Sequence, residues 1–168
     1  LQQGGLDAEQ TAALKDQMKN ERDKVNAMIK DMLGEDGYTK YEEYERTEQE
    51  RIVVTQFAHE TSSSGTPLDA AASDNLVKIM SEERAAAARD AQYMKPESLT
   101  PGELTESTVE RLLRQERGIT ERVASRASTC LTPAQLSAFE EFQARQTRMR
   151  EVQLRMAARM FQGNAPKP

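Results

Sequence analysis

The chain repeats one local pattern that begins helices. Four times a leucine is followed by an aspartate or threonine and then by a helix-compatible stretch, at Leu6-Asp7-Ala8-Glu9-Gln10, Leu68-Asp69-Ala70-Ala71-Ala72, Leu99-Thr100-Pro101-Gly102-Glu103 and Leu131-Thr132-Pro133-Ala134-Gln135. The Asp or Thr oxygen can accept a hydrogen bond from an unpaired first-turn amide, and in three of the four patterns a Gln or Glu completes a capping box. Pro101 and Pro133 fall at the first helical position, where a missing N–H costs little. The patterns therefore predict helix N-termini.

Apolar residues recur at helical spacing between these starts and predict five helices. We expect helices over residues 7–33, 38–60, 69–94, 101–127 and 132–162. The first is expected to end at Gly34, and the short turn at 35–37 predicts an antiparallel hairpin with the second. The predicted fold class is all-α: an elongated bundle of about five long amphipathic helices with antiparallel hairpins.

Length and composition favour one thinly packed domain. The chain has 168 residues, close to one average domain, but only 37% are apolar and 5% aromatic. The longest apolar run has four residues, Ala85–Ala88, so no membrane span is predicted. We expect a single helical domain over residues 1–162 and a flexible C-terminal tail over 163–168.

Cysteine and histidine are too scarce for most catalytic and metal chemistry. Each occurs once, as Cys130 and His59, so the chain forms no internal disulfide and no zinc site with four Cys or His ligands. The sequence also lacks a phosphate-binding glycine loop, a paired-histidine zinc helix, a Cys-x-x-Cys pair and a Gly-x-Ser-x-Gly elbow. We predict a protein that is not an enzyme and uses no cofactor or metal.

Charge is divided unevenly along the chain. Residues 1–110 carry 12 Lys and Arg against 23 Asp and Glu, whereas residues 111–168 carry 11 against 5. Pairing of acidic and basic helices, within a chain or a dimer, is the favoured interpretation. Nucleic acid is a disfavoured partner, because the net charge is -5 and the basic residues are not interleaved with aromatics. A homodimer is predicted, because thin amphipathic helices leave apolar stripes uncovered.

The last predicted helix carries the candidate partner surface. Methionine serves as core filler, as an adaptable binding surface or as a soft metal ligand, and packing in a core is the competing explanation for this helix. Flexible apolar side chains beside arginines suit an acidic segment of a protein partner or unfolded client. The candidate partner-binding residues are Phe142, Arg148, Met149, Val152, Arg155, Met156, Arg159 and Met160.

The start at Leu131-Thr132-Pro133-Ala134-Gln135 resembles the Leu-Thr-x-x-Gln motif of the Spy/CpxP family of bacterial periplasmic helical proteins. The other starts look like degenerate versions: 6–10 has Asp for Thr, 99–103 has Glu for Gln, and 68–72 keeps only the leucine and a capping residue. Members of that family and its relatives are small, all-helical exported proteins that act as ATP-independent chaperones, stress-signalling inhibitors or metal sensors. The resemblance implies a periplasmic or otherwise exported protein with a chaperone-like or stress-response role.

Two non-enzymatic functions remain open at this point. The first is an exported helical binding module that holds unfolded clients. The second is a structural or signalling coiled-coil protein with one dedicated protein partner. Suppression of client aggregation without ATP favours the first, and capture of a single stoichiometric partner favours the second.

Overall fold

The helical periodicity of the sequence is realised in four α-helices. The computed structural model describes residues 8–95 and 99–162. In these ranges it has α1 at Ala8–Ser63, α2 at Ala70–Ala87, α3 at Glu106–Ala127 and α4 at Pro133–Gln162, with a short 3-10 turn at Pro101–Glu103 and no strand. The predicted all-α class is confirmed, whereas the five helices and the antiparallel hairpins are not.

The first two predicted helices both lie within α1, where a kink at Gly34 interrupts the helical backbone. Gly34 has φ 69° and ψ 176°, a left-handed φ that a residue with a Cβ adopts only at a cost. A Cβ built on Gly34 would meet nothing within 4 Å, so the restriction lies in the backbone and not in packing. The expected break therefore occurs at Gly34, but residues 35–37 are helical and do not form the expected turn.

The helix predicted over 69–94 ends earlier, because turns replace helical hydrogen bonds after Ala87. Asp69 caps its start as expected, with a carboxylate oxygen that accepts the Ala72 amide at 2.6 Å. After the helix, the Asp90 amide donates to the Ala87 carbonyl at 3.0 Å, and the Tyr93 amide donates to the Asp90 carbonyl at 2.9 Å. The apolar residues of this last stretch therefore do not extend the helix.

The helix predicted to begin at Pro101 begins instead at Glu106. The predicted cap does form, since Glu103 accepts the Thr100 amide at 2.8 Å and its hydroxyl at 2.7 Å, but it closes the 3-10 turn. Thr105 is the N-cap of α3, and its hydroxyl oxygen accepts the Thr108 amide at 3.2 Å. The capping pattern at 99–103 therefore corresponds to a short 3-10 turn that precedes α3.

The start of α4 agrees with its capping box. The Gln135 amide donates to the Thr132 hydroxyl oxygen at 3.3 Å, and the Thr132 amide donates to the Gln135 side-chain oxygen at 3.0 Å. The start predicted at Leu6 and Asp7 and the tail over 163–168 lie outside the described residues. No described helix has the length and apolar character needed to cross a membrane.

The division between two compact units falls between Arg46 and Thr47. In the first unit, α1 carries ion pairs of Lys24 with Glu21 at 3.0 Å and of Lys30 with Glu35 at 2.9 Å. Six of its large apolar side chains are exposed: Leu14, Met18, Val25, Met28, Met32 and Leu33. The single domain over 1–162 stays a prediction.

The second unit holds the main apolar core. The ring of Phe57 from α1 lies 5.1 Å from Phe139 and 5.5 Å from Phe142, both on α4, measured between ring centroids. Each of these aromatic side chains is almost fully buried, and burial of one phenylalanine contributes roughly 1.5–3 kcal/mol. Residues of α2 and α3 complete the cluster: Ala72, Leu76, Val77, Ile79, Val123 and Ala127.

A smaller apolar cluster joins the other parts of α3 and α4. Val109 and Leu113, near the start of α3, pack with Ala158, near the end of α4. Leu104 and Leu154 cover this cluster from its margin. The two ends of α4 are therefore anchored in different clusters.

Candidate functional site

The buried face of α4 changes along its length. Phe139 and Phe142 enter the larger cluster, and Leu154 and Ala158 enter the smaller one. At 3.6 residues per turn, Ala158 lies on the opposite side of the helix from Met149. Beyond Phe142, the side of α4 that carries Met149 therefore no longer faces the core.

Four large apolar side chains lie on this side of α4. They are spaced three or four residues apart, so they share one face of α4. Their side chains are 60%, 57%, 60% and 72% exposed in the order Met149, Val152, Met156 and Met160, which together form the α4 stripe. The structure brings together four of the eight residues that the sequence singled out.

Phe142 lies on the same side of α4 as the stripe but is only 2% exposed. Its ring packs against Phe57, and the guanidinium of Arg145 lies 6.0 Å from its centroid. Phe142 therefore belongs to the core of the second unit and is not part of the exposed stripe.

Two arginines, Arg148 and Arg159, flank the α4 stripe. Helical spacing places Arg148 and Arg159 on the side of the stripe next to Val152. Both are exposed, and among the described residues neither forms an ion pair. The opposite flank carries the exposed amides of Gln146 and Gln153. The stripe thus has one cationic edge and one neutral polar edge.

Arg155 differs from these two arginines because it is engaged within the chain. It forms an ion pair with Glu106 at the start of α3, and its Nε donates to Glu151 at 3.0 Å. Arg155 therefore connects α4 to α3, and only Arg148 and Arg159 of the three predicted arginines are left for a partner.

Much of the uneven charge is paired between helices. Glu83 of α2 is 9% exposed and accepts Arg122 Nε at 2.8 Å and Arg126 Nη1 at 2.9 Å. Arg126 also donates to Glu82 at 2.6 Å. The hydrogen bond from Arg126, followed by that from Arg122, holds the pKa of the Glu83 carboxyl below its ordinary value. Pairing of acidic with basic helices thus occurs within one chain.

The second unit contains a cavity that is lined by residues of all four helices. The sequence did not predict it. Its volume is about 570 Å³, and its walls include Glu50 of α1, Arg84 of α2, Glu116 of α3 and Gln143 of α4. Glu50 is 1% exposed. A glutamate has no distinguishing signal in a chain with 28 acidic residues, since burial depends on the packing of four separate helices.

The lone cysteine and the lone histidine lie on different elements of the fold. Cys130 is half-buried, its thiol lies 3.5 Å from the Ala127 carbonyl oxygen, and burial raises its pKa. His59 is exposed on α1. Within the part of the chain that the structure describes, no group of three or more His, Cys, Asp and Glu could hold a metal ion.

The motif that carries the family resemblance has a structural role in this chain. Beyond its capping box, Gln135 donates through Nε2 to the Pro67 carbonyl oxygen at 2.8 Å. No protein-family model, curated protein or solved structure matches the chain. The resemblance to the Spy/CpxP family stays a prediction.

Proposed function

We propose that this chain is a non-enzymatic exported binding protein with a chaperone-like or stress-response role, and that the α4 stripe receives acidic amphipathic segments of protein clients. The observation that supports this proposal is the exposure of four large apolar side chains in one row beside two exposed arginines that form no ion pair with the described residues. Contiguous exposed apolar surface with a polar rim is typical of protein-binding sites.

Methionine suits a surface that accepts more than one sequence. Its unbranched, polarizable side chain adapts to irregular apolar partners, and three of the four stripe residues are methionines. Arg148 and Arg159 add a positive edge that attracts carboxylates and sets the orientation of a bound segment. The preferred client segment therefore carries apolar residues on one face and Asp or Glu along its border.

The proposed compartment comes from the family resemblance. The capping sequence at 131–135 supports an exported, periplasmic protein of bacterial type. Fractionation of expressing cells, with the full-length gene product, tests the compartment directly. Recovery of the protein only with cytosolic markers contradicts export.

A second candidate function is a coiled-coil interaction protein with one dedicated partner or a second copy of the chain. The first unit favours it, because Leu14, Met18, Val25, Met28 and Met32 are exposed and lie four, seven, three and four residues apart, as the apolar positions of a heptad do. Sedimentation over a range of concentrations tests the homodimer. A monomer at every concentration, in low and high salt, contradicts it.

Binding of two matched peptides tests the α4 stripe. Both peptides form the same amphipathic helix, one with glutamates and one with lysines on its polar face. We expect tighter binding of the glutamate peptide, because cationic edges attract carboxylates, and we expect salt to weaken it. Replacement of Arg148 and Arg159 by Gln should remove most of this preference while leaving the melting temperature unchanged.

The control variant replaces Arg114 and Arg117 by Gln. These arginines are exposed on α3, and the substitutions make the same change in net charge. The control should keep the glutamate preference. Equal losses in both variants would show that net charge alone controls binding. Aggregation of a chemically unfolded client, measured without ATP, then separates the chaperone-like function from the dedicated-partner function.

A further inference from the structure

The cavity of the second unit combines an apolar wall with buried hydrogen-bond acceptors. Met80 of α2 with Ile119 and Val123 of α3 form apolar parts of its lining. Its volume of about 570 Å³ lies in the usual range for small-molecule sites. An apolar cavity with a few placed polar groups is the usual form of such a site.

Glu50 has a carboxylate oxygen that the protein leaves without a partner. Its Oε1 pairs with Arg84 Nη2 at 2.7 Å, while its Oε2 is buried and accepts no hydrogen bond from the described residues. The side chain is 1% exposed and lines the cavity. An unpaired acceptor at such a position is costly, and a charged acceptor more so.

A second buried acceptor without a hydrogen bond, Gln143 Oε1, belongs to a residue that lines the same cavity. Among the described residues, Glu50 Oε2 and Gln143 Oε1 are the buried side-chain polar atoms that lack a hydrogen bond, and both are acceptors. Gln143 lies on α4 and Glu50 on α1, so the acceptors come from different walls. Within the described part of the chain, the buried polar atoms that this cavity leaves unsatisfied are therefore acceptors.

The cations that line the cavity are already engaged. Arg84 binds Glu50 and also donates to Gln49 at 2.9 Å. Arg150 pairs with Glu116 at 3.2 Å, and burial raises the pKa of the Glu116 carboxyl. A ligand that completes this site brings hydrogen-bond donors, and the N–H groups of a cation make stronger hydrogen bonds to a carboxylate oxygen than neutral donors do.

We propose that this cavity binds a small organic ammonium compound, with its N–H donors on Glu50 Oε2 and Gln143 Oε1 and its hydrocarbon part against Met80, Ile119 and Val123. An ammonium group has donors and no acceptor, which is the complement of the two unpartnered atoms. A bare metal ion fits less well, because no described group of three or more ligating side chains surrounds the carboxylate. The proposal does not rest on client binding by the α4 stripe.

Three probes of equal chain length test the head group: hexylammonium, 1-hexanol and hexanoate. Isothermal titration calorimetry and thermal melting are measured with the full chain. We expect saturable binding of one hexylammonium per chain and a raised melting temperature, weaker binding of hexanol, and none of hexanoate. Equal binding of all three probes would reduce the site to a non-specific apolar cavity, and absence of saturable hexylammonium binding would overturn the proposal.

Two variants assign the binding to this cavity. Glu50→Gln should weaken hexylammonium at least about tenfold, because it removes the charged acceptor, whereas Glu48→Gln should keep the affinity within about twofold. Glu48 is exposed on the same helix and the substitution makes the same charge change. Unchanged affinity of Glu50→Gln contradicts the proposal.

Gln143→Met keeps the test valid if Glu50→Gln fails to fold. Methionine has a similar length and removes the unpartnered oxygen, so the free protein should be as stable as the parent or more stable. The same variant should bind hexylammonium more weakly. Weaker binding without a loss of stability supports a ligand site, whereas undiminished affinity for hexylammonium contradicts it.

Discussion

Gln135 connects the start of α4 to the loop before α2 through a 2.8 Å hydrogen bond from its Nε2 to the Pro67 carbonyl oxygen. The same side chain accepts the Thr132 amide through its other end at 3.0 Å. One glutamine thus closes a helix cap and joins two segments that are distant in sequence. A glutamate in this position can still accept the Thr132 amide, but it has no N–H to donate to the Pro67 carbonyl oxygen.

Gln135→Glu separates the two roles of this residue. A carboxylate near the first turn of a helix normally stabilises it by about 0.3–1 kcal/mol, but here the donor to Pro67 is lost. We expect a net loss of about 0.5 kcal/mol for Gln135→Glu and about 1–2 kcal/mol for Gln135→Ala, measured by urea unfolding. A more stable Gln135→Glu protein would show that the contact with Pro67 contributes nothing.

The paired carboxylate of Glu83 predicts a pH dependence of stability. Because its folded pKa lies below the ordinary value of 4.5, its contribution is fully present above pH 4.5. The contribution is lost as the pH falls through the folded pKa. Glu83→Gln should therefore reduce the free energy of unfolding by about 1 kcal/mol at pH 7, and the difference from the parent should shrink at acidic pH.

Glu140→Gln is the matched control for this titration. Glu140 is exposed on α4, and the substitution removes the same charge. Urea unfolding from neutral to acidic pH should give nearly the same free energy for this variant and the parent throughout. A difference between Glu83→Gln and the parent that does not change with pH would contradict the role assigned to its ion pairs.

Phe142 and Met156 lie on one side of α4 and should respond oppositely to truncation. Phe142→Ala should cost about 3–5 kcal/mol of stability, because it opens a cavity beside Phe57. Met156→Ala should change stability by less than about 0.5 kcal/mol, because its side chain is 60% exposed, and should weaken client binding. A large loss of stability for Met156→Ala would assign this part of the stripe to the core.

Local signals in the sequence predicted much of the helical framework. The caps at Asp69 and Thr132 depend on side chains only a few residues from the amides that they bind, so the pattern alone identifies them. The prediction fails at Thr100, because the cap there closes a 3-10 turn. The N-cap of α3 is a later threonine, Thr105. A capping pattern does not report how far the helical hydrogen bonds continue.

The surface of α4 required the tertiary structure. Helical spacing groups Phe142 with Met149 and Met156, but it does not show where along the helix a neighbour stops covering that face. After Phe142, the opposite face of α4 is the one that packs against α3, through Ala158. The engagement of Arg155 by Glu106 and the unpaired oxygen of Glu50 likewise depend on contacts between helices distant in sequence.

Site-specific crosslinking tests the central claim that the α4 stripe binds clients. A photoreactive residue replaces Met156 in one protein and Glu140 in another, and each is irradiated with the glutamate-bearing amphipathic peptide. Met156 and Glu140 are exposed on opposite sides of α4. We predict a crosslinked product at position 156 that salt reduces, and little product at position 140. Equal yields at the two positions, or no product at position 156 under conditions where the peptide binds, would contradict the assignment.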